Sequence, residues 1–227
     1  MKKQVKLNNV CIFGSSGSLG EAFLKKISNS CKDLLVVSRS STKLIDDNLK
    51  KNNCSSLELN YPINSKDFTS AFNKYYRNKK IDLVINCIGY YEPSKDIFDQ
   101  DVFNRNMLSN FHTLQFITKI IKKTIKKDGK FINISSIASN HGAHDEFAYS
   151  ASKKIVDYFL EVYNQEYSNK FEIINISPGA IISKITSGRK NSKKLIIPEE
   201  LVDLAIQIAY SGKSLAIPSI SVYKKDY

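Results

Sequence analysis

The chain predicts an α/β fold, a doubly wound parallel sheet with strand order 3-2-1-4-5-6-7. Two observations carry that prediction. Short apolar runs alternate with amphipathic segments along the chain, the pattern of a parallel sheet covered by helices on both faces. The first apolar run also feeds a glycine-rich turn, Gly14-Ser15-Ser16-Gly17-Ser18-Leu19-Gly20, which opens a helix. No internal repeat, low-complexity tract or linker divides the sequence, so residues 1–227 read as a single domain.

Each element has its own local reason. Asn9–Phe13 is apolar and reads as a buried first strand, with Glu21–Ile27 as the helix beyond the glycine turn. Asp33–Ser38 holds the continuous run Leu34-Leu35-Val36-Val37 and reads as strand two. Ser56–Leu59 reads as strand three, followed by a helix from about Lys66 to Arg77, and Leu83–Cys87 as strand four. One long helix is expected over Asp99–Lys126, with Asp128-Gly129 as its stop signal. Lys130–Ile134 reads as strand five. In Tyr149–Glu166, Ile155, Val156, Phe159, Leu160 and Tyr163 recur at helical spacing. Glu172–Ile176 reads as strand six. Pro198 starts a helix over Glu199–Tyr210, and Ser214–Tyr223 is the last strand. Residues 183–198 contain the one long polar segment and read as a substrate-side loop.

Two segments point to chemistry. Strand, glycine turn and helix N-terminus together make an anion site, where free N–H groups and the helix dipole face a dinucleotide pyrophosphate. The spacing here is G-x-x-G-x-x-G, with Ser16, Ser18 and Leu19 among the turn residues. The second segment is Tyr149-Ser150-Ala151-Ser152-Lys153, which puts a phenol and an ammonium four residues apart on one helix face. A cation near a tyrosine hydroxyl favours the phenolate and suits it to acid–base work near neutral pH. Arg39 follows the second strand directly, and Ser38-Arg39-Ser40-Ser41 contains no acid. That favours a ribose 2′-phosphate, hence NADP(H) over NAD(H).

Taken together, these segments resemble the short-chain dehydrogenase/reductase family. Four further stretches add to the resemblance: Asn86-Cys87-Ile88-Gly89 after the fourth strand, Ile132-Asn133-Ile134-Ser135-Ser136 at the fifth, the 13-residue spacing from Ser136 to Tyr149, and Ile176-Ser177-Pro178-Gly179 after the sixth. The resemblance implies a Rossmann-type NAD(P)-dependent oxidoreductase acting on a small carbonyl or alcohol substrate. It implies Tyr149 as acid/base, Lys153 as its electrostatic partner and ribose ligand, Ser136 on the substrate carbonyl, and Asn106 as anchor of a water linked to Lys153. Ser135 competes with Ser136, and Asn104 with Asn106. Glu58 and Leu59 would lie beside the adenine. Asn86, Ile88, Gly89, Pro178, Gly179, Ile181 and Ser183 would follow the cofactor. A homodimer or homotetramer is implied by the resemblance alone. The sequence departs from the family pattern at Ser18, where a glycine is usual, and at Cys87, Ile88, Glu58 and Ser183. The glycine spacing keeps an NAD-retaining epimerase or dehydratase open as an alternative, beside a non-catalytic cofactor-binding regulator.

Composition narrows the field. Apolar content is 42%, and no run approaches the ~20 residues that span a bilayer. The basic start, Met1–Lys6, is followed by too short an apolar run for a secretion signal, so a cytoplasmic protein with no membrane partner is expected. Cys11, Cys31, Cys54 and Cys87 form no C-x-x-C pair and have no histidine at ligand spacing, so no metal is expected. The net charge of +12 comes from scattered lysine pairs, which a compositional bias explains without a nucleic-acid partner. Lys184, Arg189, Lys190, Lys193 and Lys194 point to an anionic substrate, although the same bias accounts for them. His141 and His144, between Ser136 and Tyr149, are candidates to touch substrate.

Overall fold

The computed structural model describes residues 7–40, 54–187, 195–210 and 216–225. Its sheet is built from β1 (Leu7–Phe13), β2 (Cys31–Ser38), β3 (Cys54–Glu58), β4 (Ile81–Asn86), β5 (Ile125–Ile134), β6 (Glu172–Pro178) and β7 (Ser219–Val222). All neighbours pair in parallel, in the order 3-2-1-4-5-6-7. The helices are α1 (Ser18–Ile27), α2 (Ser65–Tyr75), α3 (Gln100–Asn106), α4 (Thr113–Ile121), α5 (Phe147–Tyr167) and α6 (Pro198–Tyr210).

Alternation along the strands divides the apolar side chains between two cores. Val10, Ile12, Leu34, Val36, Leu83 and Ile85 face α1 and α6. Cys11, Phe13, Leu35, Val37, Val84 and Phe131 face α2, α4 and α5. A strand buried on both faces has no polar side to show, which is why these stretches read as unbroken apolar runs.

The expected long helix is interrupted. It runs as α3, a π-helical stretch Met107–His112, and α4, and it stops at Ile121 rather than Lys126. Asp99 caps its start, accepting from Val102 N–H at 3.0 Å. Asp128-Gly129 does not stop a helix. It lies within β5, where the register against β4 jumps from Ile81↔Ile125 to Leu83↔Lys130, a bulge. Asp128 takes φ +63° there, and a Cβ on Gly129 would come within 2.8 Å of Ile125 Cγ1. A turn signal and a bulge signal use the same residues, so the sequence alone did not separate them. The last strand is shorter than Ser214–Tyr223, and residues 211–215 lie outside the described residues.

Candidate active site

A cleft of about 490 Å³ opens at the carboxyl ends of the strands, above the point where the strand order reverses between β1 and β4. The glycine turn forms one wall. Gly14 takes φ +77°, and a Cβ there would lie 2.7 Å from the Cys87 carbonyl carbon. A Cβ on Gly20 would lie 2.2 Å from Gly14 O, so both glycines are demanded by the fold itself. Gly17 differs. Its Cβ would meet only Gly14 O, at an ordinary 3.5 Å. It lines the cleft with Ser18, Leu19 and Gly20, at the N-terminus of α1, which no side chain caps.

The opposite wall carries the reactive side chains. Tyr149 and Lys153, in the first turns of α5, both line the cleft, with Lys153 Nζ 5.8 Å from the Tyr149 ring centroid. Lys153 is only 3% exposed. Burial pushes its amine down to about 8, against the opposing pull of Asp157 and, less strongly, the Cys87 thiol. Ser136 lines the cleft where β5 has ended, and its Oγ accepts the Ala138 N–H at 3.2 Å. Ser135 also lines the cleft. Its Oγ is buried with no hydrogen-bond partner among the described residues. Tyr91 meets the Tyr149 ring edge-on, with centroids 5.1 Å apart, and donates its hydroxyl to Glu146 Oε1 at 3.0 Å. Tyr90 donates to Glu92 Oε2 at 2.5 Å, and Arg105 grips the same carboxylate through two bonds of 2.8 Å. The Arg105 guanidinium and the Tyr90 hydroxyl hold the Glu92 carboxyl down to about 2.

Of the other expected cofactor contacts, Ile88, Gly89, Pro178, Gly179, Ile181 and Ser183 line the cleft. Gly14, Ser16 and Asn86 support it without lining it. Arg39 and Glu58 stand exposed beside the paired ends of β2 and β3, while Leu59 is buried. In residues 183–198, Ser183 and Thr186 line the cleft, and Thr186 Oγ1 accepts the Ser183 N–H at 2.9 Å. Ile196 returns to pair with Ile181. Arg189, Lys190, Lys193 and Lys194 lie outside the described residues, and the exposed Lys184 does not line the cleft. His141 lines it; His144 does not.

Asn106 does not reach the cleft. Its side chain donates to Glu92 O and Val102 O at 3.1 and 3.0 Å. The asparagine that joins the cleft wall to α5 is Asn110, in the π-helical stretch, which was not singled out in the sequence. It accepts from Tyr90 N–H at 2.9 Å, and it donates to Tyr90 O and to Ser152 Oγ, each at 2.9 Å. Ser152 precedes Lys153. Asn110 lies one turn further along the helix than Asn106.

Comparison with known proteins agrees with this architecture. The short chain dehydrogenase family matches residues 8–194. The chain is 30% identical over 190 residues to the 3-oxoacyl-[acyl-carrier-protein] reductase FabG of Buchnera aphidicola, covering 77% of this chain and 74% of that protein. It is 24% identical over 209 residues to a human very-long-chain 3-oxoacyl-CoA reductase, covering 86% of this chain and 66% of that one. Among solved structures, a short chain dehydrogenase from Burkholderia cenocepacia in complex with NADP superposes with a TM-score of 0.80 at 19% identity, covering 97% of this chain and 90% of that one. A short-chain dehydrogenase/reductase from Brucella melitensis superposes with a TM-score of 0.83 at 18% identity, over 98% and 97% of the two chains. No helix among the described residues is long and apolar enough to cross a membrane. The chain is a member of the short-chain dehydrogenase/reductase family of oxidoreductases.

Proposed function

We propose that the protein is an NADP(H)-dependent carbonyl reductase or alcohol dehydrogenase with Tyr149 as its acid/base. One observation carries the reading: Tyr149 and Lys153 share a cleft wall with Ser136, facing a glycine turn that the fold leaves open at Gly17. A dinucleotide fits that wall, because a side chain at Gly17 would occupy cleft space that no atom of the described residues fills. The Ser18 and Leu19 end of α1 would hold the pyrophosphate, and Ile88, Gly89, Pro178, Gly179, Ile181 and Ser183 the remainder. When bound, the cofactor supplies the hydride.

The chain's own residues do the rest. Tyr149 passes its proton to the substrate oxygen in the reductive direction. Lys153 keeps positive charge beside that phenol, and Ser136 donates to the same oxygen as negative charge develops on it. Asn110, rather than Asn106, ties the Tyr90 backbone to the helix carrying both residues. Arg39, in the stretch Ser38-Arg39-Ser40-Ser41 that itself contains no acid, favours a 2′-phosphate. Ser183 and Thr186 border the substrate side. The Lys, Arg, Asp and Glu side chains lining the described cleft are Lys153 and Glu146. With a carboxylate on its wall, the cleft gives no support to an anionic substrate. A small neutral ketone or its alcohol fits this lining better.

The test is oxidation of NADPH against a panel of neutral and anionic carbonyl compounds. Turnover should be faster with NADPH than with NADH. Tyr149→Phe should lower kcat by at least ~10³-fold while NADPH still binds. Full activity in that variant rejects the mechanism.

A further inference from the structure

Three buried asparagines form a row across the carboxyl ends of β4, β5 and β6, with Asn86 in register with Asn133 and Asn133 with Asn175. Asn86 Nδ2 donates to Asn133 Oδ1, Asn133 Nδ2 to Asn175 Oδ1, and Asn175 Nδ2 to Asp157 Oδ1, each at 2.8 Å. The direction of the row is fixed at its far end. There the Ile88 backbone N–H, which can only donate, meets Asn86 Oδ1 at 3.2 Å. Asn86 must therefore turn its NH₂ toward Asn133, and so on along the row. The last amide then needs an acceptor, and here it is the carboxylate of Asp157. Amides aligned this way toward an anion reinforce one another.

Asp157 is also one helical turn beyond Lys153 on α5, so the two lie on one face. The Lys153 amine rests near the other end of the row, 3.9 Å from where a Cβ on Gly89 would stand. Asp157 thus shares a helix face with Lys153, and the row it ends begins at the Ile88-Gly89 strip near the amine. No ion-pair contact joins the two among the described residues, so the carboxylate acts through space.

We propose that Asp157 is a positioning residue for Lys153: its carboxylate supplies the counter-charge of the buried amine, and the asparagine row fixes the Ile88-Gly89 strip beside it. The proposal rests on the role given above to Lys153. Among the described residues, the titratable groups facing that amine are Asp157 on its own helix, Cys87 after β4, and Tyr149 with its ring centroid at 5.8 Å. Burial pushes the amine down to about 8 and Asp157 opposes this. Neutralising Asp157 therefore moves the midpoint further down and leaves less of the amine charged at neutral pH.

The experiment is an NMR titration of protein carrying ¹³C at lysine Cε, with Lys153 assigned by the resonance missing from Lys153→Arg. Asp157→Asn keeps an oxygen for Asn175 and removes only the charge. Its Lys153 midpoint should fall by about one pH unit, and Asp157→Glu should bring it back. Asp157→Ser, a smaller neutral acceptor, should show the same fall and serves if the asparagine variant does not fold. A Lys153 midpoint unchanged by either neutral variant overturns the proposal. Full turnover by Lys153→Met would instead reject the catalytic reading, and it would leave the titration result standing.

Discussion

Lys153 is a stability cost that the fold carries for its site. Its amine titrates near 8 when folded against an ordinary 10.5, so burial penalises the charged form. Below pH 8 the penalty is fully present; it fades as pH rises from 8 to 10.5, where the unfolded chain holds the proton and the folded one does not. Lys153→Met should therefore raise unfolding free energy by up to ~3 kcal/mol at pH 7 and by much less at pH 10.5. Urea denaturation at the two pH values checks this. A gain that does not depend on pH would mean that packing, not charge, is responsible. Asn110 is the opposite case, a polar residue that stabilises. Asn110→Leu strands both backbone groups of Tyr90 in a half-buried wall and should cost ~2–3 kcal/mol along with most of the turnover. Asn106→Leu should cost less and spare more activity. The sequence pointed to Tyr149, Lys153 and Ser136, which all line the cleft, because each sits at a fixed spacing from a neighbour on the same or an adjoining element. Asn110 was hidden because a π-helical turn shifts which residue meets the Tyr90 backbone and α5, and no local residue pattern marks that shift. Tyr91 and Glu146 are 55 positions apart and joined by one hydrogen bond, a relation that only the folded chain displays.

Among the elements, the turn from β1 to α1 separates what folding needs from what binding needs. Gly20→Ala drives a methyl group to within 2.2 Å of Gly14 O, which the backbone must relieve by moving α1 away from the strand. It should destabilise by ~3 kcal/mol or leave the protein insoluble. Gly17→Ala meets no such obstacle. It should melt within a few degrees of the parent and yet bind NADPH at least ~10-fold more weakly, as calorimetry would read. Equal binding by Gly17→Ala would remove the glycine turn from the cofactor site. The positions of the central strands β1, β2 and β4 were legible because their runs, buried on both faces, are apolar. The β4–β5 bulge was not, since Asp128-Gly129 satisfies a helix stop equally well. The third and fifth strands also begin earlier than their apolar stretches, at Cys54 and Ile125, because ladder hydrogen bonds continue through polar residues.

Across the whole molecule, the two ends of the sheet have different work. The cleft occupies the carboxyl ends. At the amino ends, buried Asp82 accepts the Asn8 and Asn9 N–H groups at 3.1 and 2.7 Å and pairs with Lys126, tying β1, β4 and β5 together. Asp82→Ala leaves two backbone donors and a lysine without their acceptor and should cost ~3 kcal/mol or more. Its NADPH affinity should stay at the parent value in the surviving folded fraction. A selective loss of binding there would mean that the two ends are coupled.

The edge-on contact of Tyr91 with Tyr149 has an optical consequence. The chain contains no tryptophan, so its ultraviolet emission comes from phenol rings, and Tyr90, Tyr91 and Tyr149 sit together on the cleft wall. A reduced pyridine ring lodged beside them would accept their excitation energy. Quenching of that emission, with sensitised light from the coenzyme, would report occupancy without any dye or engineered label.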